Sequence, residues 1–167
     1  MKQSIALLSA LALLFALVSC QSAGDPEEIL SFSLTWGVYG ISSYDSATGR
    51  LVKTTDATHP EDYVTTCTLP AETMDRIRSL LASLDADSYP DEYNPTPSLS
   101  SEPPMTLILA VRTKDGTKTI RAENICLSFE SDNKKGQTFL DACQTISEIL
   151  MSTEEWKALP DYEFLYE

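Results

Sequence analysis

The sequence predicts a two-layer α+β domain in which an antiparallel β-sheet carries two helices on one face, in the order βββαββα. Three observations lead there. Apolar residues alternate with polar ones in several short runs, the period of half-buried strands. Two other runs, Met74 to Leu84 and Phe139 to Leu150, repeat at helical spacing. Tight turn sequences join the strand-like runs, which suits antiparallel neighbours and disfavours a parallel, doubly wound sheet.

Taken in order, Leu30, Phe32, Leu34, Trp36 and Val38 mark a first strand. The phase slips between Val38 and Ile41, where Gly37 and Gly40 flank Tyr39, and this reads as a bulge or a close backbone approach. Asp45 to Gly49 make a turn, with Gly49 suited to positive φ, and lead to a second strand over Leu51 to Thr55 that pairs with the first. His59 and Pro60 lie in a polar connection, and Tyr63 to Leu69, rich in Thr, Val and Tyr, is a third strand. Pro70 then opens a helix whose core stripe is Met74, Ile77, Leu80, Leu81 and Leu84, with Glu72, Asp75, Arg76 and Arg78 on the other face.

Asp85 to Pro104 holds Pro90, Pro95, Pro97, Pro103 and Pro104 and no periodic pattern. A connection this long is functional, mobile or a stiff cover over the sheet. Its centre mixes Tyr89 and Tyr93 with Asp87, Asp91 and Glu92, residues suited to stacking on a ligand or partner and accepting hydrogen bonds from it. An EF-hand is excluded: counting from Asp85, Tyr89 and Pro90 stand where the motif needs an oxygen ligand and a glycine.

Met105, Leu107, Leu109 and Val111 alternate cleanly, and Asp115-Gly116 is expected to form a two-residue hairpin turn into Thr117 to Ala122. That turn pairs Val111 with Ile120 and Leu109 with Ala122. An irregularity at Glu123 and Asn124 precedes renewed alternation at Ile125, Leu127 and Phe129. Asp132 to Gly136 is a polar break before the second helix, which starts at Gln137 and whose stripe is Phe139, Cys143, Ile146, Ile149 and Leu150. Ser152 and Glu155 have capping-box spacing for a final turn through Trp156, stopped by Pro160. Trp156 and the tail residues Tyr162, Phe164 and Tyr166 form either a strap on the core or an exposed docking strip.

The chain of 167 residues has a formal net charge of -13, and loss of Lys2 with residues 1 to 19 takes it to -14. Such a body is repelled by nucleic acid and anionic lipid, so no nucleic-acid partner is expected. Cys67, Cys126 and Cys143 are an odd set beyond Cys20; at most one pair can close, and whether Cys126 pairs with Cys67 or Cys143 is open. Cys67 and Cys143 fall at core positions, whereas Cys126 has the opposite parity from Ile125 and Leu127 and is the most reachable. With one histidine, no zinc spacing and no nucleotide motif, neither a metal nor a cofactor is expected.

The first twenty residues fix the compartment. Lys2, an apolar run from Ile5 to Val18 broken only by Ser9, and small residues at its end read as an export signal too short for a membrane span. Leu17, Val18, Ser19 and Cys20 resemble the lipobox of bacterial lipoproteins. The resemblance implies cleavage before Cys20, a diacylglyceryl group on its sulfur and further acylation, of the palmitate type, so that the protein is lipid-anchored on the extracytoplasmic face of the cell membrane. The division that follows is 1–19 signal peptide, 20–28 lipidated Cys and short tether, and 29–167 a single domain. Eight extended residues reach only ~28 Å, which keeps that domain close to the bilayer. The mature domain also resembles in pattern small uncharacterised bacterial lipoproteins ending in a Trp, Leu-Pro and aromatic tail, here Trp156, Leu159, Pro160 and Tyr162, which implies no activity.

The function expected from these features is a non-catalytic domain that binds a protein or small ligand of the cell envelope. The candidate contacts are Tyr89, Asp91, Glu92, Tyr93, Trp156, Tyr162, Phe164 and Tyr166. The alternatives are a structural subunit of an envelope assembly and an enzyme using two carboxylates. His59 has no nucleophile motif beside it, and 25 Asp and Glu residues give no means of choosing a catalytic pair.

Overall fold

The computed structural model describes residues 28–38, 40–54 and 62–161. It is a two-layer α+β domain with a six-stranded, wholly antiparallel sheet: β1 (Ser31–Val38), β2 (Gly40–Asp45), β3 (Arg50–Thr54), β4 (Asp62–Thr66), β5 (Met105–Arg112) and β6 (Thr117–Ile125), in spatial order β4-β3-β2-β1-β5-β6. Its helices are α1 (Ala71–Leu84), α2 (Lys134–Met151) and the single turn α3 (Glu154–Lys157), with a 3-10 turn at Ala86–Ser88. Among the described residues no helix is long and apolar enough to cross a membrane.

The alternation in β1 buries Phe32, Leu34 and Trp36 on one face, where they join Leu107, Leu109 and Val111 of β5 and Ile120 and Ala122 of β6. The stripes of α1 (Ile77, Leu81, Leu84) and α2 (Phe139, Leu140, Cys143, Ile146, Leu150) close the same core, so one apolar layer lies between sheet and helices. The helix starts differ in kind. Pro70 precedes α1 with no side-chain cap, whereas the Asn133 side chain accepts from the Gly136 amide and caps α2.

The phase slip after Val38 is a chain reversal rather than a bulge. Val38 pairs with Gly40 and Leu34 with Tyr44, which makes β2 a separate strand and gives the sheet one more strand than expected. The pairing of Leu51 with Tyr44 then forms a second hairpin. Gly49, in the left-handed region that favours glycine, turns it, and Asp45 Oδ1 accepts from the Ala47 and Thr48 amides. A glycine-flanked residue pair such as Val38-Tyr39 suits a tight reversal as well as a bulge, and alternation cannot separate them.

The β5–β6 register also differs. Leu109 pairs with Ile120 and Val111 with Lys118, a shift of two residues that leaves the same side chains on the core face. A two-residue type I′ turn needs positive φ at both Asp115 and Gly116, and only Gly116 has it. The loop is instead Thr113 to Gly116, closed by the Thr113 amide donating to the Gly116 carbonyl at 2.8 Å, with the Asp115 amide donating to Thr113 Oγ1. The expected irregularity near Asn124 is present: its φ is positive, and the register slips between Met105 and Leu107. The chain then leaves the sheet, so Leu127 is exposed and does not continue the alternation. Two helix boundaries shift as well. α2 begins three residues early because Asn133 caps it, and α3 is capped by Thr153, whose Oγ1 accepts from the Trp156 amide, while Ser152 closes α2.

Candidate functional site

The proline-rich segment covers the sheet edge and α2, with the rings of Tyr89 and Tyr93 turned into that packing and Asp91 and Glu92 left exposed. Tyr89 is only 4% exposed; its hydroxyl donates to the Lys135 carbonyl at 3.1 Å, and its ring meets Tyr93 at 5.1 Å and Phe139 at 5.9 Å. Burial pushes the Tyr89 phenol up to about 12, with nearby Tyr93 and Asp85 adding to it. Tyr93 is half-buried edge-on against Phe139. Asp91 and Glu92 are exposed, and their backbone forms a parallel bridge to β6: the Arg121 amide donates to the Asp91 carbonyl and the Tyr93 amide to the Arg121 carbonyl. The segment thereby covers the β6 edge of the sheet. Lys118 Nζ lies 2.6 Å from the Asp91 carboxylate and holds it below the usual carboxylate range by hydrogen bonding and charge.

Trp156 is likewise packed rather than presented. It stacks on Trp36 at 5.5 Å, and Lys53 Nζ lies 5.0 Å over its ring while donating to the Leu159 carbonyl and the Asp161 carboxylate. The Lys53 side chain is 3% exposed, so a buried charge on β3 ties down the chain after α3. Of the remaining candidates, Tyr162, Phe164 and Tyr166 lie outside the described residues, as do Cys20 and His59.

Three thiols are free among the described residues. Cys143 is buried in α2, and burial pushes its thiol far up. Cys67 is buried near the Glu155 carboxylate and is raised first by desolvation. Cys126 is the most accessible of the three, as its parity implies, although it is largely covered because Thr96 Oγ1 accepts from its amide and folds the cover over it. Its sulfur lies 3.4 Å from Ser128 Oγ, and hydrogen bonding to Ser128 holds the thiol below its ordinary value. No three His, Cys, Asp or Glu side chains are grouped to hold a metal ion among the described residues.

Among the described residues, a concave feature lies where α1 ends. A cleft of about 390 Å³ runs between the α1 exit and the β5–β6 hairpin, within the size range of small-ligand sites. Ile29, Leu81 and Val111 close its floor, Ala82, Asp85, Ala86 and Asp87 form one wall, and Thr113, Asp115, Gly116, Thr117 and Lys118 form the other. Local chemistry builds both walls. Asp85 adopts the left-handed conformation that ends α1, and the Ser88 amide donates to the Asp85 carbonyl to start the 3-10 turn. The hairpin wall stands out because its loop has four residues. The Leu30 amide donates to the Arg112 carbonyl and so carries Ile29 under the cleft.

A shallower groove of about 490 Å³ continues past Ile29 and Ala82 along α1 to Asp75, Arg78 and Glu28. Its cation is matched, Arg78 to Asp75, just as Lys118 of the cleft is matched to Asp91. No cation among the described residues forms an ion pair with Glu28, Asp85, Asp87 or Asp115. Of the cleft residues, sequence reasoning singled out only Asp87, as part of the acidic and tyrosine-rich centre of the loop; Asp85 after a helical stripe and the Asp115-Gly116 turn were local signals, and neither says that the two approach each other. No known family model matches the chain, and no curated protein matches it either.

Proposed function

We propose that the chain is an extracytoplasmic lipoprotein, lipid-anchored to the cell membrane through Cys20. In this reading its folded domain is a non-catalytic module that binds a protein or small ligand of the cell envelope in the cleft between the α1 exit and the β5–β6 hairpin. The lipobox Leu17 to Cys20 supports the anchor. The observation that carries the binding role is the cleft itself, which has an apolar floor and carboxylates that pair with no cation among the described residues, while Tyr89 and Tyr93 nearby pack on Phe139.

The test is photo-crosslinking in cells from position 82, which lines the cleft and is exposed, with partner identification and membrane fractionation of the Cys20→Ala variant. The expected result is a discrete adduct from the membrane-bound protein, and release of the variant into the soluble fraction. An unmodified Cys20 thiol, or a native product still beginning at Met1, overturns the anchor. Absence of any adduct from position 82 overturns the cleft as the binding surface.

A further inference from the structure

We propose that the cleft takes a lysine or arginine side chain carried on an extended segment of a partner protein, an inference that rests on the reading of this domain as a binding module. Two features of the groove choose this occupant. Its floor is apolar (Ile29, Leu81, Val111), and both its walls bear carboxylates, Asp85 and Asp87 from the α1 exit and Asp115 from the hairpin. A long basic side chain has the matching division, with methylenes that lie on apolar surface and a charged head that stays at the wet rim. The cations nearby do not serve the carboxylates, since Lys118 is held by Asp91 and Arg78 by Asp75.

An extended segment fits better than a free small cation because the cleft does not end at its own wall. It shares Ile29 and Ala82 with the groove that reaches Glu28, a carboxylate that pairs with no cation among the described residues, so a second basic residue further along the same segment has a place to sit. The formal charge of -13 draws such a segment in and repels acidic competitors, an effect on association rate that salt weakens.

The experiment uses the acylated protein beginning at Cys20 in neutral detergent micelles and a fluorescent, amidated peptide that alternates lysine and leucine. Its controls are a peptide with norleucine for lysine, and spermidine as a small polycation. The cleft variant Asp85→Asn, Asp87→Asn, Asp115→Asn is compared with Glu123→Gln, Glu130→Gln, Glu148→Gln, which removes the same charge from exposed positions outside the cleft. The lysine peptide is expected to bind, with Kd about tenfold weaker for the cleft variant and changed by less than about twofold for the other, and the norleucine peptide not to bind. Equal weakening in both variants overturns the proposal, because attraction to the acidic body at large would explain it. Displacement by spermidine as readily as by unlabelled peptide overturns the extended segment, and absence of peptide binding overturns the basic occupant. If position 82 still crosslinks a partner in cells while the peptide fails, the binding module stands and only the basic occupant falls.

Discussion

Two halves of one short stretch, Asp85 to Asp87 and Tyr89 to Tyr93, have opposite fates. The first half is small and acidic, emerges from α1 in a left-handed turn and lines the cleft. The second half carries the large rings, and they turn inward onto Phe139 or bind the β6 edge through their backbone. Rings that bury large areas are drawn to the core wherever the chain lets them reach it, and what remains to shape a surface is the residue with little to gain from burial. In a tyrosine-rich acidic loop with a helix such as α2 beneath it, the rings thus turn inward and the acidic residues are left to face solvent.

The contrast between the halves breaks most directly at Phe139, on which both rings converge. Phe139→Ala is expected to cost ~3–5 kcal/mol, from lost burial and the cavity left behind. Urea unfolding measures it, and a loss below ~1 kcal/mol would mean that the seam is a loose cover and not part of the core. The same rule applies at the other end of the chain, where Trp156 and the stem of Lys53 are packed together. Lys53→Ala should cost about 2 kcal/mol, through loss of the charge over the ring and of the donor to a backbone carbonyl. That carbonyl belongs to Leu159. Asp161→Asn should cost a small fraction of this, since its carboxylate is 98% exposed and screened by water. If the two cost the same, the ion pair and not the packing holds this segment.

Tyr89 offers a sharper probe because its hydroxyl can be removed alone. Tyr89→Phe should cost ~1 kcal/mol at neutral pH through one lost hydrogen bond, the one to the Lys135 carbonyl. The phenol stands at about 12 in the fold against 10.0 ordinarily, and Tyr44, which donates to the Cys67 carbonyl, is shifted alike. Above pH 10 the unfolded chain therefore loses these protons before the folded one, and stability falls as pH rises between about 10 and 12. Tyr89→Phe should flatten part of that alkaline fall; an unchanged slope would place the Tyr89 hydroxyl in water.

The layers, both helical stripes and the β5–β6 hairpin were legible because each rests on a repeating pattern that a buried face must have. Strand number was not, since Gly37 and Gly40 around Tyr39 are compatible with both a bulge and a reversal, and the choice depends on whether Tyr44 finds Leu34. The hairpin register was legible only to its face, because period two survives a shift of two. The cleft was least legible of all. Its residues come from Ile29 just before β1, the end of α1 and the β5–β6 hairpin, each ordinary on its own terms, and only the seating of the Ala86–Ser88 turn against β6 sets them across from one another.

The smallest expected effect is the one that separates the two halves of the stretch. If Asp85, Asp87 and Asp115 serve the surface alone, replacing all three with Asn should change unfolding stability by less than ~1 kcal/mol, as surface changes do. Asn also tolerates the left-handed backbone at position 85, so the α1 exit is kept. Mutual repulsion among the three carboxylates is relieved at the same time, which favours a slight gain at low salt that fades as salt screens it. A loss comparable to that of Phe139→Ala would show that the acidic wall holds the fold together, and the distinction between a half that packs and a half that is free to bind would fail.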